Sequence, residues 1–464
     1  MKISNETYGE RRNKLKTDVG SGLLLFIGNG EVGMNYADNT YRFRQDSSFL
    51  YFFGLDYPDL AAVIDIDENR EIVFGNELTI DDIVWTGLQP TLKEKASVVG
   101  IGETRPMSEL KNYIGRAQAK GQAIHFLPPY RGDHKVWLQE LLGINPAEQA
   151  ERASVPFIKA IVRQRIHKTD EEILAIEESV DISTEMHLAA YSKVRPGVHE
   201  SEVAAVVEEV ACRYGNALAF PTIATVQGQV LHNHGFIHEL KEGDIFLLDA
   251  GAETKMHYAG DLSSSMPVSE RFTERQKEIY EIHLASFYAA VDTLKVGVPF
   301  RDAHIAAATK ICEGMKALGL MKGDPAEAAR IGAYALFFPC GLGHMVGLDV
   351  HNMENLGEQY VGYLEGDKKS TQFGFKSLRL ARPLEPGFVF TVEPGIYFIP
   401  ELMDKWQAEK QFTDFINYDK LKPWRDFTGL RNELNYAVLS DGTVRLLGTI
   451  KKPMTIEEVY EAKK

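Results

Sequence analysis

Short apolar runs alternate with helical patterns through roughly the first 150 residues of the chain. Segments of strand length occur at 22–28, 61–67 and 70–75, and apolar residues at helical spacing follow at 134–143. A further run, mainly aromatic, lies at 48–55. Alternation of strand-like and helix-like segments is typical of an α/β domain, so we predict one here.

The pattern changes between about 150 and 168, where a long amphipathic helix is about to begin. Thr169 starts a capping box, and apolar residues then recur at helical spacing until the Pro-Gly pair that begins at Pro196. We therefore place a domain boundary near residue 160 and predict two domains, 1–160 and 161–464.

The second domain combines amphipathic helices with strands that end at ionisable residues. Helical spacing occurs at 200–215 and 275–297, and apolar strands end at Asp249, His344 and Glu393. This mixture predicts an α+β domain and not a regular series of strand–helix–strand units.

Residues 397–430 are rich in aromatic and charged residues but show no clear periodicity. Such a segment is either an excursion that lines a pocket or a decorated surface loop. From the sequence alone we favour the surface loop.

Two strand-like stretches of the second domain match position for position. "GDIFLLDAG" at 243–251 and "GFVFTVEPG" at 387–395 place Asp249 opposite Glu393, at a separation of 393 − 249 = 144 residues. Solenoid repeats recur every 20 to 50 residues or so, so this distance is too long for one. This internal repeat predicts two related halves that face each other, each contributing one acid to a shared centre.

Composition and charge narrow the class of protein. The 464 residues suffice for two or three domains, and 44% apolar and 25% charged residues are ordinary for a globular enzyme. A net charge of −15 argues against nucleic acid or an anionic membrane as the main partner. The three cysteines, Cys212, Cys312 and Cys340, are far apart, which excludes a disulfide scaffold and a thiolate zinc site.

Targeting signals are not evident in the sequence. The first residues, "MKISNETYGERRNK", are polar and charged, unlike a signal peptide. The apolar run at 23–27 is far shorter than the roughly 20 residues of a membrane helix. We expect a cytoplasmic protein that does not act on membranes.

Four sites in the second domain place an ionisable residue beside a glycine or at a strand end, and a fifth begins a strand-like run. Each alone has an ordinary structural explanation, because strands often end at an acid that caps a turn. Together they supply four carboxylates and one imidazole, which suit Mn²⁺, Co²⁺, Fe²⁺ or Zn²⁺. The candidate ligands are Asp249, Asp261, His344, Glu393 and Glu433.

Burying four acids without cations is unfavourable, because each charge costs several kcal/mol to desolvate. Two divalent cations would balance that charge almost completely. A pair of metals roughly 3.5–4 Å apart also holds a bridging water, lowers its pKa and stabilises the oxygen that develops charge. The sequence therefore predicts a two-metal hydrolytic site.

The assembled motifs resemble the proline-peptidase family, which contains aminopeptidase P and prolidase. The resemblance covers essentially the full length, and six motifs follow in the family's order. It implies an α/β N-terminal domain of the aminopeptidase P type, followed by an α+β pita-bread catalytic domain with an internal pseudo-twofold repeat. The motifs are "HKTDEEILAIEES", "VLHNHG", "LLDAGAE", "GLGHMVGLDVH", "TVEPGIYFI" and "GLRNE".

The family's site residues carry over to matching positions of this chain. Asp249 would bind one metal, and Asp261 and Glu433 would bridge the pair. His344 and Glu393 would bind the second metal, with Glu393 also taking the proton of the attacking water. The resemblance also implies that five further residues contact the substrate or support the metals. They are His232, His351, Arg431, Arg379 and Trp85.

The resemblance implies a metal-dependent hydrolase of small peptides with proline at the second position, using two divalent ions, with Mn²⁺ first among the candidates. A proline residue has no amide N–H and its φ is fixed. Peptidases that hold a substrate through the amide N–H at this position therefore cannot bind proline there, whereas a two-metal site does not depend on that hydrogen. A homodimer is the family expectation.

The two sub-types stay open at this point. The N-terminal segment looks like that of aminopeptidase P, although Ser48 replaces an aspartate that is typical of the bacterial enzymes. "SLRLARPLEPG" and the insertion after "EPGIYFI" look more like prolidase. In prolidases the arginine matching Arg379 binds the terminal carboxylate of the dipeptide; otherwise it is a surface arginine.

The second domain departs from the family pattern at four places. The spacing of Asp249 and Asp261 is 261 − 249 = 12, one more than usual, which predicts a bulge. "DLSSS" replaces the common D-x-T-R-T, Cys340 stands where many members have histidine, and Asn352 follows His351 where an acid is usual.

Three rivals share the fold but not the pattern. A catalytically inactive pita-bread binding module should have lost several ligands, and creatinase uses no metal and lacks the complete acid set. Methionine aminopeptidase shares the five ligands but lacks the large N-terminal domain. Because all five candidate ligands are present here, we predict an active peptidase.

Overall fold

The computed structural model describes residues 3–215 and 217–464, which form two compact units. The first comprises the described residues up to Arg165 together with Asn355–Tyr360, and the second comprises Ile166–Glu354 and Val361–Lys464. A helix runs through residue 160, where the sequence places the boundary, and the units divide after it.

A mixed five-stranded sheet forms the centre of the first unit. Its order is β4-β3-β2-β1-β5, in which the pairs β1–β2 and β2–β3 are antiparallel and the two outer pairs are parallel. Strand β2 lies between β1 and β3 and is buried along its whole length. The strands are β1 (Leu23–Ile27), β2 (Ala61–Asp65), β3 (Arg70–Gly75), β4 (Glu103–Pro106) and β5 (Ile124–His125).

Eight helices accompany this sheet in the described residues, and the aromatic run at 48–55 lies mostly in one of them. Asp46 accepts a hydrogen bond from the backbone N–H of Phe49, and Gly54, at φ +59°, ends the helix. All its side chains are buried. The helices are α1 (Asn5–Val19), α2 (Ser47–Phe53), α3 (Ile80–Thr86), α4 (Leu92–Ser97), α5 (Leu110–Ala119), α6 (Gly132–Leu142), α7 (Gln149–Arg152) and α8 (Val155–Arg165).

In the described residues the second unit contains four small antiparallel sheets, with orders β10-β8-β7, β11-β14-β15, β12-β13 and β6-β9. The strands β8, β11 and β14 are fully buried. The strands are β6 (Ala217–Leu218), β7 (Ile223–Thr225), β8 (Ile245–Ala250), β9 (Ala252–Glu253), β10 (Leu262–Pro267), β11 (Val389–Val392), β12 (Gly395–Tyr397), β13 (Gly429–Arg431), β14 (Leu434–Val438) and β15 (Val444–Leu446).

Long helices pack on these sheets. The capping box predicted at Thr169 is present, with Glu172 as its second member, and it starts the longest helix. The helices are α9 (Asp170–Lys193), α10 (Glu200–Arg213), α11 (Glu274–Thr293), α12 (Phe300–Ala317), α13 (Pro325–Ile331), α14 (Glu358–Val361, which spans the junction of the units), α15 (Pro400–Ala408), α16 (Tyr418–Leu421) and α17 (Ile456–Ala462).

The two halves of the second unit share the same backbone arrangement, in agreement with the internal sequence repeat. Gly197 N–H donates to Leu240 O (2.8 Å) before α10, and Gly297 N–H donates to Leu384 O (2.9 Å) before α12. Both glycines have φ near +82° (+83° and +82°), which favours glycine. Leu240 and Leu384 are again 384 − 240 = 144 residues apart. The halves are therefore related by the same offset that relates Asp249 to Glu393.

The segment 397–430 is not the bare surface loop that the sequence suggests. It carries α15 and α16, and its Trp406, Ile416 and Phe427 side chains are buried. The N–H of Lys322 donates to Phe415 O (2.8 Å), which ties the segment to the end of α12. Half of its aromatic side chains are thus buried, and the other half are partly buried.

No α-helix within residues 3–215 and 217–464 combines the length and the hydrophobicity that a membrane span requires.

Candidate metal centre

Strand β8 drives four apolar side chains into the core and then presents Asp249 at its end. Asp249 pairs with Ser263 of β10 across the antiparallel ladder. Gly251 follows because a Cβ there would overlap the carbonyl oxygen of Gly260. The rigid ladder therefore fixes Asp249, which lies 9% exposed at the edge of a cavity.

The second half positions His344 and Glu393 in a matching way. Glu393 follows β11 directly, and its N–H donates to Leu342 O at 2.7 Å. Thr391 N–H donates to His344 O at 2.9 Å, so the segment carrying His344 runs beside β11. Gly343 permits this approach, since a Cβ there would overlap the Thr391 carbonyl. The chain thus brings the imidazole and the carboxylate to one point.

Asp261 and Glu433 precede β10 and β14, the partner strands of the two ladders. Asp261 N–H donates to Asn435 Oδ1 (3.1 Å), and Asn435 Nδ2 donates back to the Asp261 carbonyl. Glu433 N–H donates to Ser263 O at 3.0 Å. These bonds join the halves, so that each acid is held by the opposite strand.

One cavity of about 250 Å³ collects all five candidate ligands. Its lining also includes four of the five residues expected to contact substrate or support the metals, and only Trp85 is not among them. Trp85 lies on α3 of the first unit and is 87% exposed. The lining residues named by the sequence are Asp249, Asp261, His344, Glu393, Glu433, His232, His351, Arg379 and Arg431.

The ligand candidates approach closely enough to share one cation. His344 Nε2 lies 3.2 Å from Asp261 Oδ2 and 3.5 Å from Glu393 Oε1. One donor atom each from Asp261, His344 and Glu433 lie within 4.8 Å of one another. Such a buried set of carboxylate and imidazole donors matches a divalent transition-metal ion.

Burial among neighbouring acids raises the pKa values of the carboxyl groups. Burial and the Asp249 charge raise the pKa of Asp261 to about 8. Burial and Asp261 raise the pKa of Glu433 well above its ordinary value, and burial also raises the pKa of Glu393. The full set of carboxylates can ionise together only with further positive charge nearby.

Two oxygen atoms provide a direct test of whether these residues fit a metal. Asp249 Oδ1 and Glu433 Oε1 are buried and make no hydrogen bond. Buried carboxylate oxygens without a partner are costly. Cations between the acids would satisfy both atoms, so the donor set fits divalent metals.

Arg431 supports the cluster from one side. It donates from Nη2 to Asp249 Oδ2 (2.6 Å), from Nε to Ser263 Oγ (2.9 Å) and from Nη1 to Tyr397 OH (2.8 Å). Burial alone would lower the pKa of Arg431, but Tyr397, Asp249 and the other acids raise it well above its ordinary value. The guanidinium therefore remains charged and fixes one oxygen of Asp249.

The "DLSSS" departure preserves polar contacts around the acids. Ser263 Oγ donates to Glu433 Oε2 at 2.8 Å, and Ser265 Oγ donates to Arg431 O at 2.9 Å. Ser264, at the place of the family's arginine, hydrogen-bonds the buried His187 (2.8 Å). The three hydroxyls thus support Glu433, Arg431 and a buried imidazole.

The predicted bulge between Asp249 and Asp261 is wrong. The pairing register runs unbroken from Pro267 opposite Ile245 to the bridge of Ala259 with Glu253. The connecting turn contains the extra length, and His257 adopts φ +65° there. The added residue therefore lengthens the turn and leaves the ladder regular.

Three further residues take part in the site beyond the sequence-based roles. His234 and Cys340 line the cavity, and burial raises the pKa of the Cys340 thiol to about 12. Glu354 accepts from His351 Nδ1 (2.5 Å) and Arg379 Nε (3.3 Å). The second histidine of "HNHG" is the sequence feature that could have indicated His234. No sequence feature indicates Glu354, because only the fold brings it to Arg379.

The His351 hydrogen bond and the Arg379 charge lower the pKa of Glu354 to about 2. The acid expected after His351 is absent at Asn352, whose side chain is buried. Glu354, three residues after the histidine, supplies a carboxylate to it instead. The departure at Asn352 thus leaves His351 with an acidic partner.

Replacing Asp261 with asparagine should reduce the number of divalent cations bound per chain, measured with Mn²⁺ as the probe, because a neutral amide cannot balance a shared cation. Equilibrium dialysis with elemental analysis measures the stoichiometry, and the Mn²⁺-induced rise in melting temperature should shrink with it. Asp65→Asn, a buried acid of the first unit, is the control. Two tightly bound ions in Asp261→Asn would contradict the assignment.

Comparisons with known proteins agree with this geometry. The model of metallopeptidase family M24 matches residues 175–445, and that of the aminopeptidase P N-terminal domain matches 8–148. The Xaa-Pro dipeptidase of Homo sapiens is 30% identical over 95% of this chain and 88% of its own length. A probable Xaa-Pro aminopeptidase of Metarhizium acridum is 26% identical over 96% and 91%.

Solved structures match the whole chain. Aminopeptidase P from E. coli, in a low-pH form, superimposes with a TM-score of 0.81 at 25% identity, covering 100% of this chain and 99% of that one. Aminopeptidase PepP of Pseudomonas aeruginosa gives 0.80 at 23% identity, covering 100% and 98%, and supports the fold alone. The expected pita-bread fold, preceded by an aminopeptidase P-type domain, is confirmed. The chain belongs to metallopeptidase family M24.

Proposed function

We propose that this metallopeptidase hydrolyses the bond between an N-terminal residue and a following proline in small peptides. The observation that carries the proposal is the cavity in which four carboxylates and an imidazole meet three further histidines and two arginines. Relatives that span most of the chain are named Xaa-Pro dipeptidases and Xaa-Pro aminopeptidases, which supports the same bond specificity.

The five candidate ligands would hold two divalent cations, for which we propose Mn²⁺. When bound, such cations polarise a water molecule, lower its pKa and stabilise negative charge on the substrate carbonyl. Oxygen-rich donor sets with one imidazole accommodate Mn²⁺ as well as Co²⁺, Zn²⁺ or Fe²⁺. The proposed ligands are Asp249, Asp261, His344, Glu393 and Glu433.

Glu393 is placed to move the proton. Its Oε1 accepts a hydrogen bond from Thr391 Oγ1 at 3.3 Å, which orients the carboxylate in the cavity wall. A carboxylate at this position can take a proton from water and return it. We assign to Glu393 the removal of a proton from the attacking water and its delivery to the departing proline nitrogen.

His232 and His351 are proposed to hold the substrate carbonyl and the proline ring. His351 uses Nδ1 for Glu354, which leaves Nε2 as the nitrogen for substrate. Its ring lies 4.2 Å, centroid to centroid, from that of His344. Burial and the Arg431 charge lower the pKa of His232, so its imidazole is neutral near pH 7. Neither histidine needs an amide hydrogen, which proline lacks.

Metal-loaded protein should release the first residue from Gly-Pro and from an Xaa-Pro-Pro peptide, and a matched Xaa-Ala peptide should be a poor substrate. Chelation should abolish turnover, and Mn²⁺ should restore it. Chromatography of the products measures both. His344→Ala should remain inactive after Mn²⁺ addition. A wild-type protein that binds Mn²⁺ but cleaves none of these peptides would indicate a binding module.

We propose that dipeptides are among the substrates, with Arg379 binding their free carboxylate. Arg379 lines the cavity, and Glu354 holds its Nε on the same wall as His351. A guanidinium binds a carboxylate by charge-assisted hydrogen bonds, each worth roughly 1.5–3 kcal/mol. This places the carboxylate site beside the histidine that we assign to the substrate.

Arg379→Ala should raise KM for Gly-Pro by about 10- to 100-fold, since roughly 1.4 kcal/mol corresponds to a factor of ten. KM for a longer Xaa-Pro-Pro peptide should change much less, because its carboxylate lies farther from the scissile bond. Steady-state kinetics on both substrates test this. Arg382→Ala, which loses a nearby ion pair with Glu385 but no cavity contact, is the control. An unchanged Gly-Pro KM in Arg379→Ala would refute the role.

We further propose a homodimer in which helix α3 is covered. Four apolar side chains lie exposed on and just after this helix, and none of its residues is buried within the chain. Contiguous exposed apolar surface marks an interaction site. We also retain, as a proposal, the contact with substrate that the resemblance implies for Trp85. The exposed residues are Ile80, Val84, Trp85 and Leu88.

The paired change Val84→Lys and Leu88→Lys should convert the dimer into monomers, because two charges would be buried at the interface. Sedimentation velocity at micromolar concentration measures the state. Val98→Lys, which changes an exposed valine outside this helix, should leave the dimer intact. A wild-type monomer, or a dimer that survives the paired change, would rule out this interface.

We also propose that the protein works in the cytoplasm, where its three free cysteines would remain reduced.

A further inference from the structure

The loop 226–238 carries His232 and His234 to the cavity but has no regular secondary structure. It leaves the end of β7 and returns at Glu239, which bridges to His199 just before α10. A segment without ladder hydrogen bonds needs other contacts to hold its side chains in place. The contacts that it has converge on one buried side chain.

Glu200, in the first turn of α10, is 0% exposed, and both ends of the loop donate to its carboxylate. Val226 N–H donates to Oε1 (2.9 Å) at the start of the loop. At the other end, Ile237 N–H and His238 N–H donate to Oε2 (both 2.9 Å). His238 Nδ1 lies 3.1 Å from both oxygens. One carboxylate therefore closes the loop at its base.

A second chain of bonds extends from Glu200 to the middle of the loop. Thr225 Oγ1 donates to Glu200 Oε1 at 3.0 Å and accepts from Asn233 Nδ2 at 3.0 Å. The same hydroxyl accepts from Gln227 N–H at 3.0 Å. Asn233 lies between the two cavity histidines in sequence. The carboxylate thus reaches the neighbours of His232 through a single hydroxyl.

We infer that Glu200 is a positioning residue, which fixes the loop 226–238 so that His232 meets the substrate. The inference rests on the proposed function, because His232 contacts substrate only if the cavity binds a peptide. Burial raises the pKa of Glu200, but the backbone N–H groups of His238 and Val226 outweigh it and lower the pKa, so the carboxylate is ionised. An ionised carboxylate accepts all the donors around it, whereas an amide would direct two N–H groups at other donors.

Glu200→Gln is the variant that tests the inference, and Glu202→Gln is its matched control. Glu202 belongs to the same helical turn and completes the capping box at His199, but it does not contact the loop. Both changes replace a carboxylate by an amide near the start of α10. Only the first should loosen the loop.

Hydrogen exchange on the metal-loaded protein without substrate gives a readout that does not depend on activity. In Glu200→Gln the peptide spanning 226–238 should exchange at least about tenfold faster, while the helices and the metal content stay unchanged. Glu202→Gln should leave this peptide at the wild-type rate. Asn233→Ala, which loosens the loop without altering a buried acid, should accelerate exchange in the same peptide to a smaller degree. Wild-type exchange in both loop variants would overturn the inference.

Kinetics in a double-mutant cycle then show whether the loop acts through His232. Glu200→Gln should lower kcat/KM by about 10- to 100-fold, as displacement of a substrate-contacting group does. In the His232→Ala background the same change should cost little more, because the group being positioned is gone. Equal losses in both backgrounds would overturn the role assigned to Glu200. If wild-type protein cleaves no Xaa-Pro peptide, the proposed function fails and so does this role, whereas the exchange data still decide whether Glu200 holds the loop.

Discussion

Four carboxylates gathered in one cavity impose the main electrostatic constraint on the catalytic unit. Loss of hydration, followed by repulsion from the neighbouring acids, raises the pKa values of Asp261, Glu393 and Glu433. Arg431 balances one charge through Asp249, and the remaining negative charge calls for cations. The arrangement is stable when cations are bound and energetically unfavourable without them. The serines of β10 and Tyr397 support it by hydrogen bonds to Glu433 and Arg431.

The duplicated architecture explains how a chain can place these acids so precisely. In each half, one buried strand ends at an acid, and a second acid directly precedes the partner strand. The offset of 144 residues recurs at the leucines that precede the first strand of each pair, Leu240 and Leu384. Hydrogen bonds across the halves, such as Glu433 N–H to Ser263 O, make each half the support of the other. The four acids therefore lie in, or directly next to, strands of these ladders. His232 lies on the loop 226–238, which has no ladder, and Glu200 holds this loop instead.

The sequence was sufficient for the residues whose neighbours in the chain reveal their setting. An apolar run before Asp249 and again before Glu393 predicts a buried strand that ends at the cavity, and the structure has both. The Ser263–Glu433 and Arg379–Glu354 contacts join residues far apart in the chain, so no local pattern predicts them. The bulge prediction fails for a related reason, since the count of residues between two acids does not say whether the ladder or the turn contains an extra one. The segment 397–430 lacks a regular period, and its burial depends on the chain after α12 and on its own helices, so the sequence pattern alone indicates a surface loop.

Anomalous diffraction from crystals grown with Mn²⁺ would locate cations bound among the four acids. We expect two peaks roughly 4 Å apart in the cavity, each within bonding distance of carboxylate oxygens, and one of them bonded to His344. Both previously unpaired oxygens, Asp249 Oδ1 and Glu433 Oε1, should face a peak. A cavity without anomalous peaks at saturating Mn²⁺, or peaks bound only at surface acids, would contradict this expectation.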